Sequence, residues 1–352
     1  MSRPLGIALL GLGVFLLAGA VTIFGAAASE SVLPPGEQPD AGRRRRGRRA
    51  RLMGGALLVL ALLGGKAWWD NMDAAYVANL FEPLHITTST RPAGDQVRLR
   101  IAIDDPVWLE RRITRFIPDH GKLMHLFLIR ADLGALAHLH PIPVDSSTFE
   151  STLPPLPAGR WRYWIYADVV HESGFAQTLV DTLELAGSPA GRGAVKLADA
   201  DDSWHVTAGT SEDHRGRPGT SVALGNRWTM SWQRDAPPAA GRETTLRFFI
   251  ADRDGTPAEL EPFMGMAGHA AVVRDDGSVF VHLHPLGTVS VAAQAVLLRR
   301  DSLAAPIHAS HGEPPGTVGF PYEFPRSGHY RVWVQVKLRG QVQTGVFDVE
   351  VP

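Results

Sequence analysis

Residues 125–141 read HLFLIRADLGALAHLHP, and residues 269–285 read HAAVVRDDGSVFVHLHP. Each stretch opens on a histidine, passes through an apolar run and a turn, and closes on His-Leu-His-Pro. His125 and His138 are 13 residues apart, as are His269 and His282, and the two stretches are offset by 144 residues. Short alternating apolar runs argue strand, and Asp275-Asp276-Gly277 between two of them is a strong hairpin signal. A histidine-bearing β-unit that occurs twice therefore sets the fold.

Further strands extend outward from both units. Gln96 to Ile103 alternates, with Val97, Leu99, Ile101 and Ile103 on one face, and Arg160 to Tyr166 and Ala176 to Leu185 continue the pattern. In the second region Thr245 to Ala251, Ala292 to Leu298, Tyr330 to Lys337 and Gln341 to Val349 read as strands. Gly159 to Trp164 resembles Gly328 to Trp333, and Gln177-Thr178 resembles Gln343-Thr344, at offsets of 169 and 166. The second copy thus carries an insertion of roughly 25 residues after its His-x-His. Helical periodicity is hard to find beyond Leu80, and Pro and Gly punctuate the strands.

Strands with one apolar face need a second sheet to cover them. The expected fold is all-β: two tandem immunoglobulin-like or cupredoxin-like β-sandwich domains after an N-terminal transmembrane hairpin. The expected boundaries are a membrane anchor over 1–70, a first domain over 71–188, a linker over 189–202 and a second domain over 203–352. The plan resembles a bacterial membrane-anchored exported protein. That resemblance is architectural and transfers no catalytic residue.

The anchor is read from two apolar runs, Gly6 to Ala28 and Leu52 to Trp69, each long enough to approach the hydrocarbon thickness. Between them stand seven arginines in nine positions, Arg43 to Arg51. The positive-inside rule places this stretch, read as a loop, in the cytoplasm and exports everything after Asp70. An uncleaved signal anchor or a signal peptide is the alternative for the second run, and it exports the same remainder.

Composition excludes several functions. Of 352 residues, 45% are hydrophobic and 20% charged, which is globular. No cysteine occurs, so disulfides, thiolate zinc sites, iron–sulfur clusters and type 1 copper are excluded together. From residue 71 on there are 26 Lys+Arg against 32 Asp+Glu, with no basic stripe, and a nucleic-acid partner is not expected. No nucleophile elbow, zincin helix or phosphate loop appears.

All fourteen histidines lie in the exported part. In a strand, residues i and i+2 share a face about 6–7 Å apart, so His138 and His140 can address one point where Pro141 ends the strand. His125 on a neighbouring strand would complete a triplet, and His269, His282 and His284 would repeat it. Met264 and Met266 precede His269, the insertion adds His308 and His311, and the first region offers counterparts in Met124 beside His125, His120 nearby and His171 on a loop before its last strand. Imidazole suits copper, zinc and nickel while thioether favours Cu(I), so this donor set points to metal binding, copper first. His269, His282 and His284 are the expected primary ligands. The expected partners are the membrane, a metal ion and an exported protein. The rival reading is a non-catalytic structural or protein-interaction module whose histidines serve packing. An enzyme would further require an open metal position and a nearby acid or base.

Overall fold

The computed structural model describes residues 3–31, 33–34, 36–78, 83–111, 115–187, 197–207, 220–234, 236–300 and 313–352. The chain divides into two compact units, Met1–Glu82 and Pro83–Pro352. The first is helical and the second is β-rich.

In the helical unit, α1 spans Arg3–Glu30 and α2 spans Ala41–Ala78. Glycines let them pack closely: a Cβ on Gly47 would stand 2.8 Å from the Gly25 carbonyl oxygen, and one on Gly54 3.2 Å from Phe24. Over Ala41–Ala75, α2 is long and apolar enough to cross a membrane, whereas the apolar helix at Phe15–Glu30 is shorter. Of the two expected crossings, one helix among the described residues therefore qualifies. The arginine-rich stretch differs from its reading as a loop, because it forms the first turns of α2. Asp40 starts that helix by accepting from the Arg43 backbone N–H at 2.7 Å, and arginine itself is a good helix former.

The first half of the β-rich unit contains β1 (Ile86–Ala93), β2 (Gln96–Ile103), α3 (Pro106–Arg111), β3 (Phe116–Ile117) and β4 (His125–Arg130). It continues with β5 (Ala135–Leu139), β6 (Ile142–Pro143), β7 (Thr148–Thr152), β8 (Gly159–His171), β9 (Ala176–Gly187) and β10 (Ser203–Val206). The second half contains β11 (Ser221–Leu224), β12 (Trp228–Gln233), β13 (Glu243–Asp252), β14 (His269–Arg274) and β15 (Phe280–Leu283). It ends with α4 (Val291–Arg300), β16 (Thr317–Glu323), β17 (Gly328–Leu338) and β18 (Gln341–Val351).

These strands form four antiparallel sheets. Their orders are β1-β2-β7-β6; β10-β5-β4-β8-β3 with β9 beside β8; β11-β12-β13-β16; and β15-β14-β17-β18. In the first half, Leu99 and Ile101 of β2 share a core with Leu126 and Leu128 of β4 and Ile165 of β8. In the second, Phe248 and Ile250 of β13 share a core with Val272 of β14 and Val334 of β17. A third core joins the halves, made by Phe127, Ile129 and Tyr166 from one and Ala271, Val273 and Trp333 from the other.

This third core explains why β4 and β14 carry nearly unbroken apolar runs. Both faces of each strand are buried, one against its own half and one against the opposite half. The aromatic strand β8 divides in the same way: Tyr163 lies in the first-half core, while Trp164 and Tyr166 face the joint.

Ala292 to Leu298, expected as a strand, is helical. The side chain of Ser290 accepts from the Ala293 N–H at 3.1 Å, and Ala, Gln, Leu and Arg are strong helix formers. Ala292 and Ala293 bury against Val170. A one-turn exception also occurs at α3, where Pro106 enters the first turn and Asp105 Oδ1 accepts from the Trp108 N–H at 2.9 Å.

Candidate metal centre

Strand parity decides where the histidines point. On β4, Leu126 and Leu128 face the first-half core, so His125 shares the opposite face with Phe127 and Ile129. His138 of β5 and His282 of β15 lie on the corresponding faces of their strands. Register repeats between the halves: Phe127 pairs with His138, and Ala271 pairs with His282. His125 stands opposite Asp168, and His269 stands opposite Gln335. The joint between the halves is thereby supplied with histidines from both.

Seven imidazoles form one connected cluster there: His120, His125, His138, His140, His269, His282 and His284. Ring centroids are 4.9 Å apart for His138 and His140, 4.4 Å for His282 and His284, and 5.4 Å for His125 and His282. Within it, two sets present ligand atoms all within 4.8 Å of one another: His125, His138 and His140, and His120, His269 and His284. The first is the expected first-half triplet. The second differs from expectation, because His120 of the first half replaces His282. His282 lies between the sets, its ring 5.4 Å from His138 and 5.3 Å from His269.

A tight turn brings His120 in. Asp119 and Lys122 exchange two backbone hydrogen bonds, both 2.9 Å, with His120 at φ 52° and Gly121 at φ 80° between them. Phe263 and Met266 do the same around Met264 at φ 49° and Gly265 at φ 79°. A left-handed non-glycine residue costs about 1–2 kcal/mol, and here it occurs at the same place in both turns. His120 and Met264 are 144 residues apart, the offset of the histidine motifs, so His120 occupies in the first half the position that Met264 occupies in the second.

Hydrogen bonds orient several rings. Asp202 Oδ1 accepts from both the His140 backbone N–H, at 2.8 Å, and His140 Nδ1, at 2.9 Å. His140 Nε2 is left without a partner. Such a carboxylate–imidazole arrangement fixes the tautomer that turns a lone pair toward an ion. Contacts across the joint are reciprocal: His138 Nδ1 donates to Gln335 Oε1 at 2.9 Å, and His282 Nδ1 lies 3.3 Å from Asp168 Oδ2.

Other nitrogens have no partner. Among the described residues, His120 Nε2, His140 Nε2, His282 Nε2 and both ring nitrogens of His269 and His284 are buried and unsatisfied. An unsatisfied buried polar group costs about 1–3 kcal/mol, so several in one place press against a typical net stability of about 5–15 kcal/mol. Burial holds His125, His138, His269 and His284 well below the usual imidazole range, and it takes His282 down to about 3. The rings are therefore neutral at pH 7, the state in which imidazole ligates. Burial also pushes the Asp168 carboxyl up to about 7, against a hydrogen bond from Thr178.

A cavity of about 220 Å³ adjoins the cluster, lined by His125, His282, His284, Asp119, Asp168 and Lys122 among others. A larger open groove of about 870 Å³ runs past Arg242, Arg247 and Tyr322, and no histidine lines it. The buried His/Asp cluster is thus the feature compatible with metal coordination.

Met264 and Met266 are buried in the turn beside the cluster, whose Phe263 ring is 5.0 Å from His269 and 6.3 Å from His138. Met124 packs in the first-half core, and His171 lies against Phe116. His308 and His311 fall outside the described residues.

Residues 222–352 match a family described as a domain of unknown function, DUF8832. The search of curated proteins found no match. Among solved structures, the chain is similar to a chimeric titin Z1Z2 carrying a decorin-derived peptide, at 11% identity and a TM-score of 0.16, over 77% of this chain and 99% of that one. It is also similar to a Parabacteroides merdae β-glucuronidase, at 10% identity and a TM-score of 0.15, over 77% of this chain and 25% of that one. A biofilm-associated protein BSP domain gives 8% identity and a TM-score of 0.16, over 78% and 67%. Likeness at these scores carries no inference about fold or function.

Proposed function

We propose that this chain is a membrane-anchored, extracytoplasmic metal-binding protein that holds or passes on an ion, with copper the first candidate. The observation that carries the reading is the group of unpartnered, buried imidazole nitrogens gathered in one cluster. His125, His138, His140, His269, His282 and His284 would supply nitrogen donors. Met264 and Met266 would add thioether for Cu(I), and His308 or His311 could close the site from the insertion. The arginines at the start of α2 support a cytoplasmic start and an exported β-rich unit. In this proposal α1 and α2 form a transmembrane hairpin. The β-rich unit is a tandem pair of immunoglobulin-like or cupredoxin-like sandwiches, with β10 attached to the first.

A second reading has its own observation. The His138–Gln335 and His282–Asp168 contacts join the halves without an ion, as a purely structural cluster would.

Metal titration of the detergent-solubilised, metal-stripped full chain separates the two. Cu(I), Cu(II) and Zn(II) are each added, beside the H269A/H282A/H284A variant. The cysteine-free sequence contributes no thiolate background. Tight binding by the parent chain with lower stoichiometry or affinity in the variant is expected. Equal stoichiometry and affinity in the two proteins remove the proposed second-half site, and no binding by either leaves the structural reading.

A further inference from the structure

The cluster has more donors than one ion can use, and they fall into two groups. A four-coordinate ion takes at most four nitrogens at about 2.0–2.1 Å each, so seven imidazoles exceed a single site. His125, His138 and His140 form one set and His120, His269 and His284 the other, and no residue belongs to both. The first set comes wholly from the first half. The second draws His269 and His284 from the second half and His120 from the first, with the His120 ring 5.2 Å from His269 and 5.0 Å from His284.

We infer that the cluster is a two-ion centre, with a second site at His120, His269 and His284 that ties the halves together through the ion. The inference rests on the metal-binding reading above and adds to it the number of ions and the crossing ligand. Three neutral imidazoles suit a borderline ion such as Cu(II) or Zn(II). Several features point to this site. His120 is held over the second-half pair by its left-handed turn, its Nε2 has no hydrogen-bond partner and lies 3.8 Å from Asp119 Oδ2, and neither ring nitrogen of His269 or His284 has a hydrogen-bond partner. Its neighbour Asp119 anchors the turn by accepting from the Ala292 N–H at 2.8 Å, so the insertion helix α4 steadies the crossing ligand. Ring centroids of His120 and His125, one from each set, are 5.9 Å apart, so the two ions would be close neighbours.

The test is metal stoichiometry of the solubilised full chain by elemental analysis after loading with Cu(II), with Zn(II) as a parallel probe. The parent chain should retain two ions. His120→Asn, which tolerates the left-handed turn, should retain one, and His140→Ala should retain the other one. Electron paramagnetic resonance of the Cu(II)-loaded parent chain supplies a readout that needs no variant, because two adjacent ions give a dipolar-coupled signal. A single bound ion in the parent chain, two ions retained by His120→Asn, or two magnetically isolated signals would each overturn the two-ion centre while leaving metal binding intact. No ion bound at all would overturn both readings.

Discussion

At the residue scale, Asp202 shows how a side chain that need touch no ion can set one up. Its carboxylate takes both the backbone N–H and the Nδ1 of His140, and its other oxygen accepts from the Asp199 N–H at 3.1 Å. Outer partners of this kind are worth about 10–100-fold in metal affinity. Asp202→Asn should therefore weaken binding at the first triplet by about 10-fold or more, read by competition with a chromogenic chelator. An unchanged affinity would show that the Asp202 carboxylate does not tune His140 as a ligand. The sequence made His140 visible through its spacing from His138. Asp202 is 62 residues from its partner, and no local pattern links the two.

At the element scale, the hairpin between β14 and β15 joins the halves as well as two strands. Gly277 has φ 72°, its carbonyl accepts from the Tyr166 hydroxyl at 2.9 Å, and a Cβ on it would lie 2.6 Å from Trp164. Gly277→Ala should cost more than the roughly 1–2 kcal/mol of left-handed strain alone. Gly255, at φ 81° with nothing near its Cβ position, is the control. A urea midpoint lowered equally by Gly277→Ala and Gly255→Ala would deny the hairpin a role in the joint. This element was legible from Asp275-Asp276-Gly277 and its apolar flanks. Helix α4 was not, because Ala, Val and Leu fit a short strand and a short helix equally well. Its helical state depends on the Ser290 cap and on burial against Val170.

For the whole molecule, the joint between the halves makes stability depend on protons. His120, His125, His138, His269, His282 and His284 all have lowered proton affinity, with burial the largest cause. Unfolded, these rings take protons near the usual 6.5, whereas folded they do not, so lowering the pH below about 6.5 favours the unfolded chain. Asp168 and Asp119 act oppositely, since burial raises both and the folded chain then holds protons that the unfolded one releases. Six imidazoles outweigh two carboxyls at this joint, so its net proton linkage favours the unfolded chain as the pH falls below the usual imidazole range. The urea midpoint of the metal-free chain should therefore fall between pH 6.5 and 5.0. A constant or rising midpoint would contradict the buried, neutral cluster. Histidine spacing pointed in the sequence to the first triplet and to two members of the second, yet their merger into one cluster with His120 needed the apposition of two sheets, which no local pattern records.

The helical unit has its own electrostatic asymmetry. The start of α2 carries the positive end of the helix dipole, and Arg44, Arg45, Arg46, Arg48, Arg49 and Arg51 crowd onto it exposed, with Asp40 as the acidic cap. Such a beginning repels itself in plain water. Anionic phospholipid headgroups would relieve that repulsion, by about 1 kcal/mol per arginine near the surface. The first turns of α2 should consequently fray in neutral detergent and tighten when phosphatidylglycerol is supplied, a change that amide hydrogen exchange would register.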